Sequence, residues 1–348
     1  MRKILFICVA LCLIRSSWAK AVTMSWSTIG NPGNASDFTG AGASGGAGPN
    51  GFVGDVNYTY KIGTYEVTNS QYVEFLNAKD SSGDNQLGLY YSGMGSDALN
   101  GGISFNAAAA SGSKYSVIDG RGNYPVTYVT WYSAARFANW MNNGQGNGST
   151  ETGAYNFGPL DSSGIPLAGN ALARAAGAKI ALPTESEWYK AAYYDPTTSS
   201  YNKFPTSSSL LPNPQPPPGD SNSANYVPGG WPNPDYAGSV GHLTAIGAYS
   251  TAPSPYGTFD QGGNALEWNE QVFSTGRGLR GGSFTLVWDH MLGAYRDSAS
   301  PKFGWYNDVG FRLVNLVAVP EPSTIALSAL GAIGMALFGI RRAYSSAQ

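Results

Sequence analysis

The sequence has little cysteine, little histidine and little charge. Of its 348 residues two are cysteines, two are histidines and 12% are charged. Cys8 and Cys12 both lie in an N-terminal apolar run, so the rest of the chain has no residue for a disulfide, a thiolate metal site or a cysteine nucleophile. His242 and His290 are far apart and match neither HxxxH nor HExxH spacing. The sequence therefore predicts neither a metal site of three histidines nor a nucleophile paired with a histidine base.

The N-terminus has the three parts of a secretory signal peptide. Two basic residues precede an apolar run over residues 4–14, and small or polar residues follow it. The run is too short to span a bilayer. We therefore predict a signal peptide over residues 1–19, cleaved after Ala19 or, as a close alternative, after Ala21.

The C-terminus carries a second processing pattern. Pro320-Glu321-Pro322 leads into an apolar run, 325–340, which a pair of arginines closes. As a helix this run reaches about 24 Å, against roughly 30 Å of bilayer hydrocarbon. The order of these parts resembles the PEP-CTERM sorting signal, which implies an exosortase as partner and cleavage near Pro-Glu-Pro. A simple C-terminal anchor is the alternative.

We therefore predict a sorting signal over residues 318–348 with a transmembrane helix over 325–340. The resemblance implies export in a Gram-negative-type bacterium, transient anchoring in the inner membrane, and transfer to the cell surface or an extracellular polymer matrix. The paired arginines fit the cytoplasmic side. Without both terminal segments, 15 of the 20 basic and 21 of the 22 acidic residues remain, a balance near −6. That balance does not favour nucleic acid as a partner.

Residues 20–317 are sufficient for one large domain with a buried core. Two stretches, 30–51 and 205–234, are rich in loop-forming residues, and we predict the second, which contains three consecutive prolines, to be a loop insertion. Threonine caps at Thr68, Thr130 and Thr184 predict three helices. Strand-like runs occupy 59–65, 126–129 and 311–316. The pattern predicts an α+β fold with few helices, short antiparallel strands and long loops.

Seven segments, in this order, resemble the sulfatase-modifying factor, or formylglycine-generating enzyme, family. The resemblance implies an irregular C-type-lectin-like fold. The segments begin at residues 62, 124, 182, 263, 280, 295 and 310, and they read IGTYEVTN, YPV followed by VTW, LPTESEW, GNALEW, RGGSF, YR and GFR.

The family's reaction oxidises a substrate cysteine to formylglycine with copper held by two cysteines, and this sequence lacks both. Leu286 occupies the first cysteine's position, and Met291 or Leu292 the second. Copper(I) requires soft thiolate or thioether ligands. We therefore expect no copper and no catalytic residue. Whether the protein is an enzyme stays open, and we favour the interpretation that it is not.

The resemblance places Ser283, Leu286, His290, Met291 and Arg296 around the lost active site. Ser283 without a paired base is only a hydrogen-bonding group. His290 either lines the old pocket or is a solvated or hydrogen-bonded histidine. Three motif arginines, Arg280, Arg296 and Arg312, are expected by default to form buried ion pairs.

The resemblance also implies structural calcium at two sites. The first has Asp260, the backbone of Gly263 and Ala265, and Glu267 as ligands. The second begins at Asn225 and Tyr226, with Asp235 as its acidic partner. Calcium takes 6–8 oxygen ligands, both carboxylate and carbonyl. The alternative for Asp260 and Glu267 is a turn aspartate and a buried pair with an arginine.

Three functions remain open. The first is a non-catalytic binding or structural module on the cell surface or in its exopolysaccharide matrix. Its partner would be the exopolysaccharide or another surface protein, on which aromatic side chains could stack. The second is an enzyme with residual or altered oxidase activity. The third is a purely structural exported protein whose old pocket is filled by Leu286, Met291 and their neighbours.

Overall fold

The computed structural model describes residues 21–38, 51–167, 169, 172–230, 233–234, 240–273 and 276–317. The predicted signal peptide, the sorting signal with its helix over 325–340, and Asp235 lie outside the described residues. Within the described ranges, no helix combines the length and the apolar character needed to cross a bilayer.

The described residues form four α-helices, and the three threonine caps predicted from sequence are confirmed. Thr68 and Thr184 each make a capping box, in which the threonine hydroxyl accepts the N–H of the third helical residue and that residue's side chain accepts the cap N–H. Thr130 accepts the backbone N–H of Ser133 at 2.8 Å. The helices are α1 Asn69–Lys79, α2 Gly93–Ser96, α3 Trp131–Asn142 and α4 Glu185–Tyr193, with a 3₁₀ helix at Trp288–Met291.

Two four-stranded sheets form the frame that positions the site. The first has the order β1-β4-β16-β7 and is antiparallel throughout. The second has the order β14-β13-β12-β15, in which β12 and β15 run parallel. Their strands are β1 Trp26–Ile29, β4 Tyr60–Gly63, β7 Ile180–Ala181, β12 Leu266–Val272, β13 Arg277–Arg280, β14 Asp297–Ala299, β15 Val309–Gly310 and β16 Val314–Asn315.

Four two-stranded ribbons complete the described strands. They pair β2 Asp37–Phe38 with β3 Phe52–Val53, β5 Ile103–Phe105 with β6 Tyr115–Val117, β8 Tyr194–Asp195 with β9 Ser200–Tyr201, and β10 Gly229–Gly230 with β11 Asn233–Pro234. Most strands are two to four residues long, which confirms the predicted α+β class with short strands and long loops.

Aromatic residues of α1 and α3 form the centre of the main core. Tyr72, Phe75 and Phe137 are completely buried, and Phe137 packs edge-on against Phe311 at 5.5 Å between ring centroids. Phe75 also contacts Trp140, at 5.4 Å. The apolar positions that predicted these helices therefore face one shared core.

Two of the three predicted strands are shorter than expected, and the third is absent. The run over 59–65 pairs only as β4, and the run over 311–316 only as β16. The prediction of a strand over 126–129 is wrong, because Tyr128 has φ +61° and an isolated bridge joins Thr68 to Pro125 instead. A non-glycine residue in the left-handed region interrupts an extended run.

Candidate functional site

The candidate site begins at the turn that follows β13. Gly281 and Gly282 have φ of +99° and +71°, a region that glycine adopts without strain. A Cβ at Gly281 would lie 2.7 Å from the carbonyl oxygen of Gln261, and one at Gly282 would lie 3.1 Å from Met291 Cγ. The turn therefore brings the backbone against the 3₁₀ helix and directs the following residue, Ser283, inward.

Ser283 lies in a buried hydroxyl–carboxylate cluster. Its Oγ donates to Asp308 Oδ2 at 2.7 Å, and Thr285 Oγ1 donates to the same oxygen at 2.5 Å. Ser283 is completely buried and Asp308 is 8% exposed. Asp308 thereby fixes both hydroxyls. In the described part of the chain, no histidine ring nitrogen accepts a hydrogen bond from Ser283. A serine held in this way is a hydrogen-bonding group.

The residues that the resemblance aligns with the family's cysteines, Leu286 and Met291 or Leu292, lie in apolar surroundings. Met291 is completely buried and packs in a cluster with Phe204, Ala224 and Tyr226, while Leu292 packs on the edge of that cluster. Leu286 is half-buried at the margin of the main core. The structure does not place Leu286 and Met291 in one apolar cluster, so the two side chains lie against different parts of the protein. Neither offers copper(I) a thiolate, and the residues present do not fit that metal.

His290 is half-buried beside the same turn. Its ring lies 4.0 Å from the ring of Tyr295, and its Nδ1 lies 3.4 Å from Asp297 Oδ2. A Cβ at Gly282 would lie 3.2 Å from His290 Cβ. His290 therefore lines the region of the lost active site and contacts an acidic and an aromatic side chain there.

The predicted buried ion pairs of the motif arginines are confirmed. Glu185, in the first turn of α4, accepts from Arg280 Nε at 2.7 Å and from Arg296 Nε at 3.0 Å. Asn269 Nδ2 donates to its other oxygen at 2.8 Å. Although burial alone raises the pKa of Glu185, the two guanidinium groups lower it below the ordinary value. Arg296 therefore forms part of the buried ion pair with Glu185.

Glu267 makes the alternative contact considered for the first calcium site, a buried pair with an arginine. Its Oε2 accepts from Arg312 Nε at 2.5 Å and from Trp188 Nε1 at 2.7 Å, and its Oε1 accepts from Arg312 Nη2 at 2.6 Å. Glu267 and Arg312 are completely buried. A cation at Glu267 would have to share this carboxylate with a guanidinium charge, so the side chains present do not fit calcium well at this position.

Asp260 lies close to a second buried carboxylate, Glu66. Asp260 accepts the backbone N–H of Gly247 at 2.5 Å. Burial is the main cause that raises its pKa to about 6, with the Glu267 charge adding to the effect and Arg312 opposing it. Burial and then the Asp260 charge raise the pKa of Glu66 well above its ordinary value. These two carboxylates share the single guanidinium of Arg312 with Glu267.

The second predicted calcium site has a buried oxygen that lacks a partner. Asn225 is 2% exposed, its Nδ2 donates to the His242 carbonyl at 2.9 Å, and its Oδ1 accepts no hydrogen bond from the described residues. Such an oxygen fits a cation ligand. In the described ranges, no group of three or more His, Cys, Asp or Glu side chains is arranged to hold a metal ion. Calcium at Asn225 and Tyr226 stays a prediction.

The structure therefore brings together some of the predicted residues. Ser283, His290 and Met291 surround the glycine turn, whereas Arg296 belongs to the Glu185 ion pair and Leu286 to the edge of the core. Backbone contact also joins the two predicted calcium segments, because Asn264 N donates to the Asn225 carbonyl at 2.8 Å.

The sequence interpretation missed Asp308, Thr285 and Glu66. Thr285 follows the RGGSF motif directly, Asp308 lies two positions before GFR, and Glu66 lies inside the first motif. A position in or beside a motif was therefore the only sequence signal for these three residues. Their hydrogen-bonding and charged partners come from distant parts of the chain, so the sequence did not reveal them.

Comparisons with known proteins agree with this architecture. The sulfatase-modifying factor enzyme 1-like domain matches residues 54–317, and the PEP-CTERM protein-sorting motif matches residues 318–343. The chain belongs to the sulfatase-modifying factor enzyme 1-like family and carries a PEP-CTERM sorting motif. The predicted family and fold are therefore confirmed, and the motif supports an exported, surface-targeted protein sorted by an exosortase. No curated protein matches the chain.

Three solved structures are similar to this chain at low sequence identity. Treponema denticola variable protein 1 is 19% identical, with a TM-score of 0.47 over 86% of this chain and 97% of the other. CarF is 18% identical, with a TM-score of 0.47 over 84% and 98%. PvdO from Pseudomonas aeruginosa is 15% identical, with a TM-score of 0.43 over 84% and 91%.

Proposed function

We propose that this protein is a non-catalytic binding or structural module, displayed on the cell surface or in its exopolysaccharide matrix. The observation that carries the proposal is the lack of cysteine where the resemblance puts the copper ligands, at Leu286 and at Met291 or Leu292. Met291 is completely buried among apolar and aromatic neighbours, so it is sequestered from solvent and from a substrate thiol. Copper(I) has no pair of soft ligands to bind there.

The hydrogen bonds of Ser283 support the same proposal. An acyl- or thiol-transfer mechanism requires a nucleophile next to a base that removes its proton. Ser283 and Thr285 instead share one carboxylate oxygen of Asp308, and His290 contacts Asp297 and Tyr295. The cluster stabilises the turn by satisfying two buried polar groups, Ser283 and Asp308.

A copper oxidation assay tests the proposal. The exported protein is incubated with copper(I), oxygen and a sulfatase-type cysteine peptide, and mass spectrometry follows conversion of the cysteine to the aldehyde. We expect no conversion above copper alone. Conversion above that background would contradict the proposal and support the alternative of residual or altered oxidase activity.

A double variant, Leu286→Cys with Met291→Cys, is the matched comparison for copper binding. Because thiolates are the soft ligands that copper(I) prefers, the double variant is expected to bind copper(I) more tightly than the natural protein. Tight copper(I) binding by the natural protein, equal to that of the double variant, would show that other side chains hold the metal and would count against the proposal.

We further propose that the C-terminal segment anchors the protein in the inner membrane until an exosortase cleaves it. The support is the order of Pro320-Glu321-Pro322, the apolar run and the arginine pair. Replacing these three residues by alanine in the native host is expected to leave the longer, membrane-associated form. Normal shortening of that variant, seen by mass spectrometry, would disprove cleavage at this motif.

A further inference from the structure

An aromatic cleft of about 350 Å³ is lined by residues other than Ser283, His290 and Met291. Its walls come from the loop after α1, the start of α3, and the loops around residues 163–165 and 302–305. Five aromatic residues line it: Tyr90, Tyr91, Tyr128, Tyr132 and Trp305. A volume of this size lies at the lower end of the range for small-ligand sites.

Two of these aromatic rings are partly exposed to solvent, and each packs against a second ring. Trp305 is 50% exposed and stacks on Phe303, with 4.0 Å between ring centroids and 27° between planes. Tyr91 is 41% exposed and stacks on Tyr128 at 5.8 Å and 16°. Tyr128 is itself anchored through a hydrogen bond from its hydroxyl to Asp97 at 2.7 Å. Rings fixed by a second ring lose little conformational entropy when a ligand stacks on them.

A buried hydroxyl without a partner contributes to the same cleft. Tyr132 is 2% exposed, and its hydroxyl accepts and donates no hydrogen bond among the described residues. A buried hydroxyl without a hydrogen-bond partner destabilises the folded state. Burial raises the pKa of Tyr132, so the group is a proton donor at neutral pH. A ligand hydroxyl, or a water that it holds, would satisfy this donor.

The buried cation that lines the cleft, Arg136, is compensated by other protein groups. Arg136 makes two hydrogen bonds to Glu151, at 2.7 and 3.0 Å, and two more to backbone carbonyls. Lys302, the other cation of the lining, is exposed to solvent. A phosphate or sulfate ligand in the cleft would find the Arg136 donors occupied.

We propose that the aromatic cleft binds an uncharged sugar ring of a polysaccharide, stacked on Trp305 and hydrogen-bonded toward Tyr132. Flat aromatic faces beside hydrogen-bonding groups match a pyranose, which has an apolar face and a rim of hydroxyls. The occupied donors of Arg136 favour an uncharged ring over an acidic one. The inference rests on the proposed function as a binding module and specifies its ligand class.

Electrophoresis of the exported protein in native gels that contain dextran, xylan or a β-1,3-glucan tests the inference. At least one of these neutral polymers is expected to retard the protein. Trp305→Ala is expected to weaken the apparent affinity roughly tenfold, because it removes the stacking face. Phe52→Ala is the matched control, since Phe52 is 61% exposed and lies outside the cleft lining; it is expected to behave like the natural protein.

A second variant separates binding from folding. Tyr132→Phe removes only the unpartnered hydroxyl, so it is expected to keep or raise the thermal unfolding midpoint while weakening retardation about threefold to tenfold. Loss of both stability and binding would indicate a structural hydroxyl and overturn its assignment as a ligand contact.

Three results would overturn the inference as a whole. They are the absence of retardation by all three polymers, equal retardation of the natural protein and Trp305→Ala, and displacement of the polymer by an unrelated peptide that stacks in the cleft. The copper assay is independent of these outcomes. Aldehyde formation would disprove the proposed function, whereas unchanged binding by Trp305→Ala would disprove only the cleft.

Discussion

Asp260 is a buried carboxylate in a left-handed backbone conformation, with φ +59°. Its pKa is raised to about 6, mainly by burial, so the folded state binds more protons than the unfolded state between about pH 4 and pH 6. The free energy of unfolding must therefore fall as pH rises through this window. Glu66, whose pKa is also raised by burial, acts in the same direction.

We predict that the natural protein is less stable at pH 7 than at pH 5, with Asp260 contributing about 1 kcal/mol of the difference. Asp260→Asn is expected to reduce that difference, because an asparagine does not titrate and tolerates the left-handed conformation. Urea unfolding at the two pH values measures the effect. Identical pH dependence in the natural protein and the variant would contradict it.

The pKa values of Glu185 and Glu187 are lowered rather than raised, so these two residues stabilise the protein less at acidic pH. This sets a lower limit to the pH range over which the effect of Asp260 can be measured. Burial raises their pKa, but for Glu185 the charge of Arg280, and for Glu187 a hydrogen bond from Arg174, more than offset burial and lower it. Their stabilising contribution is present above the unfolded value and is lost as pH falls through the folded one. The comparison between pH 5 and pH 7 avoids that loss.

At the scale of elements, Glu185 joins three parts of the chain. It belongs to the first turn of α4, while Arg280 ends β13 and Arg296 directly precedes β14. Arg280 Nη1 also donates to the carbonyls of Gly293 and Tyr295, at 2.6 and 2.7 Å. One carboxylate therefore holds the helix, the sheet and the connecting segment together.

Glu185→Gln is predicted to lower the free energy of unfolding by about 3–5 kcal/mol, because it leaves two buried guanidinium groups without their counter-charge. Glu74→Gln, at a partly exposed position of α1, is the matched control and should change stability by about 0.5 kcal/mol or less. Equal losses in the two variants, measured by urea unfolding, would show that the ion pair is unimportant.

Sequence predicted the helices better than the strands because caps are local. Thr68 and Gln71 are three residues apart, so the signal and its hydrogen bonds lie in the same turn. A strand depends on distant partners, and the run at 126–129 had an apolar pattern but a φ of +61° at Tyr128. The arginines were predicted to be buried and paired, but sequence did not name Glu185 as the shared partner.

The aromatic cleft was beyond sequence reasoning for the same reason. Tyr91, Tyr132, Ile165 and Trp305 come from four separate segments, and no local spacing links them. Composition indicated only that aromatic residues were plentiful. Family motifs gave the position of Ser283 and left Met291 and Leu292 as alternatives, but they did not predict the burial of Ser283 and Met291.

At the scale of the whole molecule, the chain after Cys12 has no cysteine and thus no disulfide to limit unfolding. Calcium at Asn225 and Tyr226 would add stability by binding only the folded state. At 100 times its Kd, calcium is expected to raise the free energy of unfolding by about 2.7 kcal/mol. Asn225→Leu should remove this response, and equal thermal midpoints of the natural protein in calcium and in EDTA would disprove the site.

The burial of Met291 has a consequence for life outside the cytoplasm. Exposed thiols and thioethers are readily converted by peroxide into sulfenic acids and sulfoxides, which are polar and alter packing. Met291, which with Leu292 is one of two candidates for a cysteine position of the family, is a thioether with no exposed surface. Oxidants that would inactivate a thiol-bearing relative should therefore leave this pocket chemically intact.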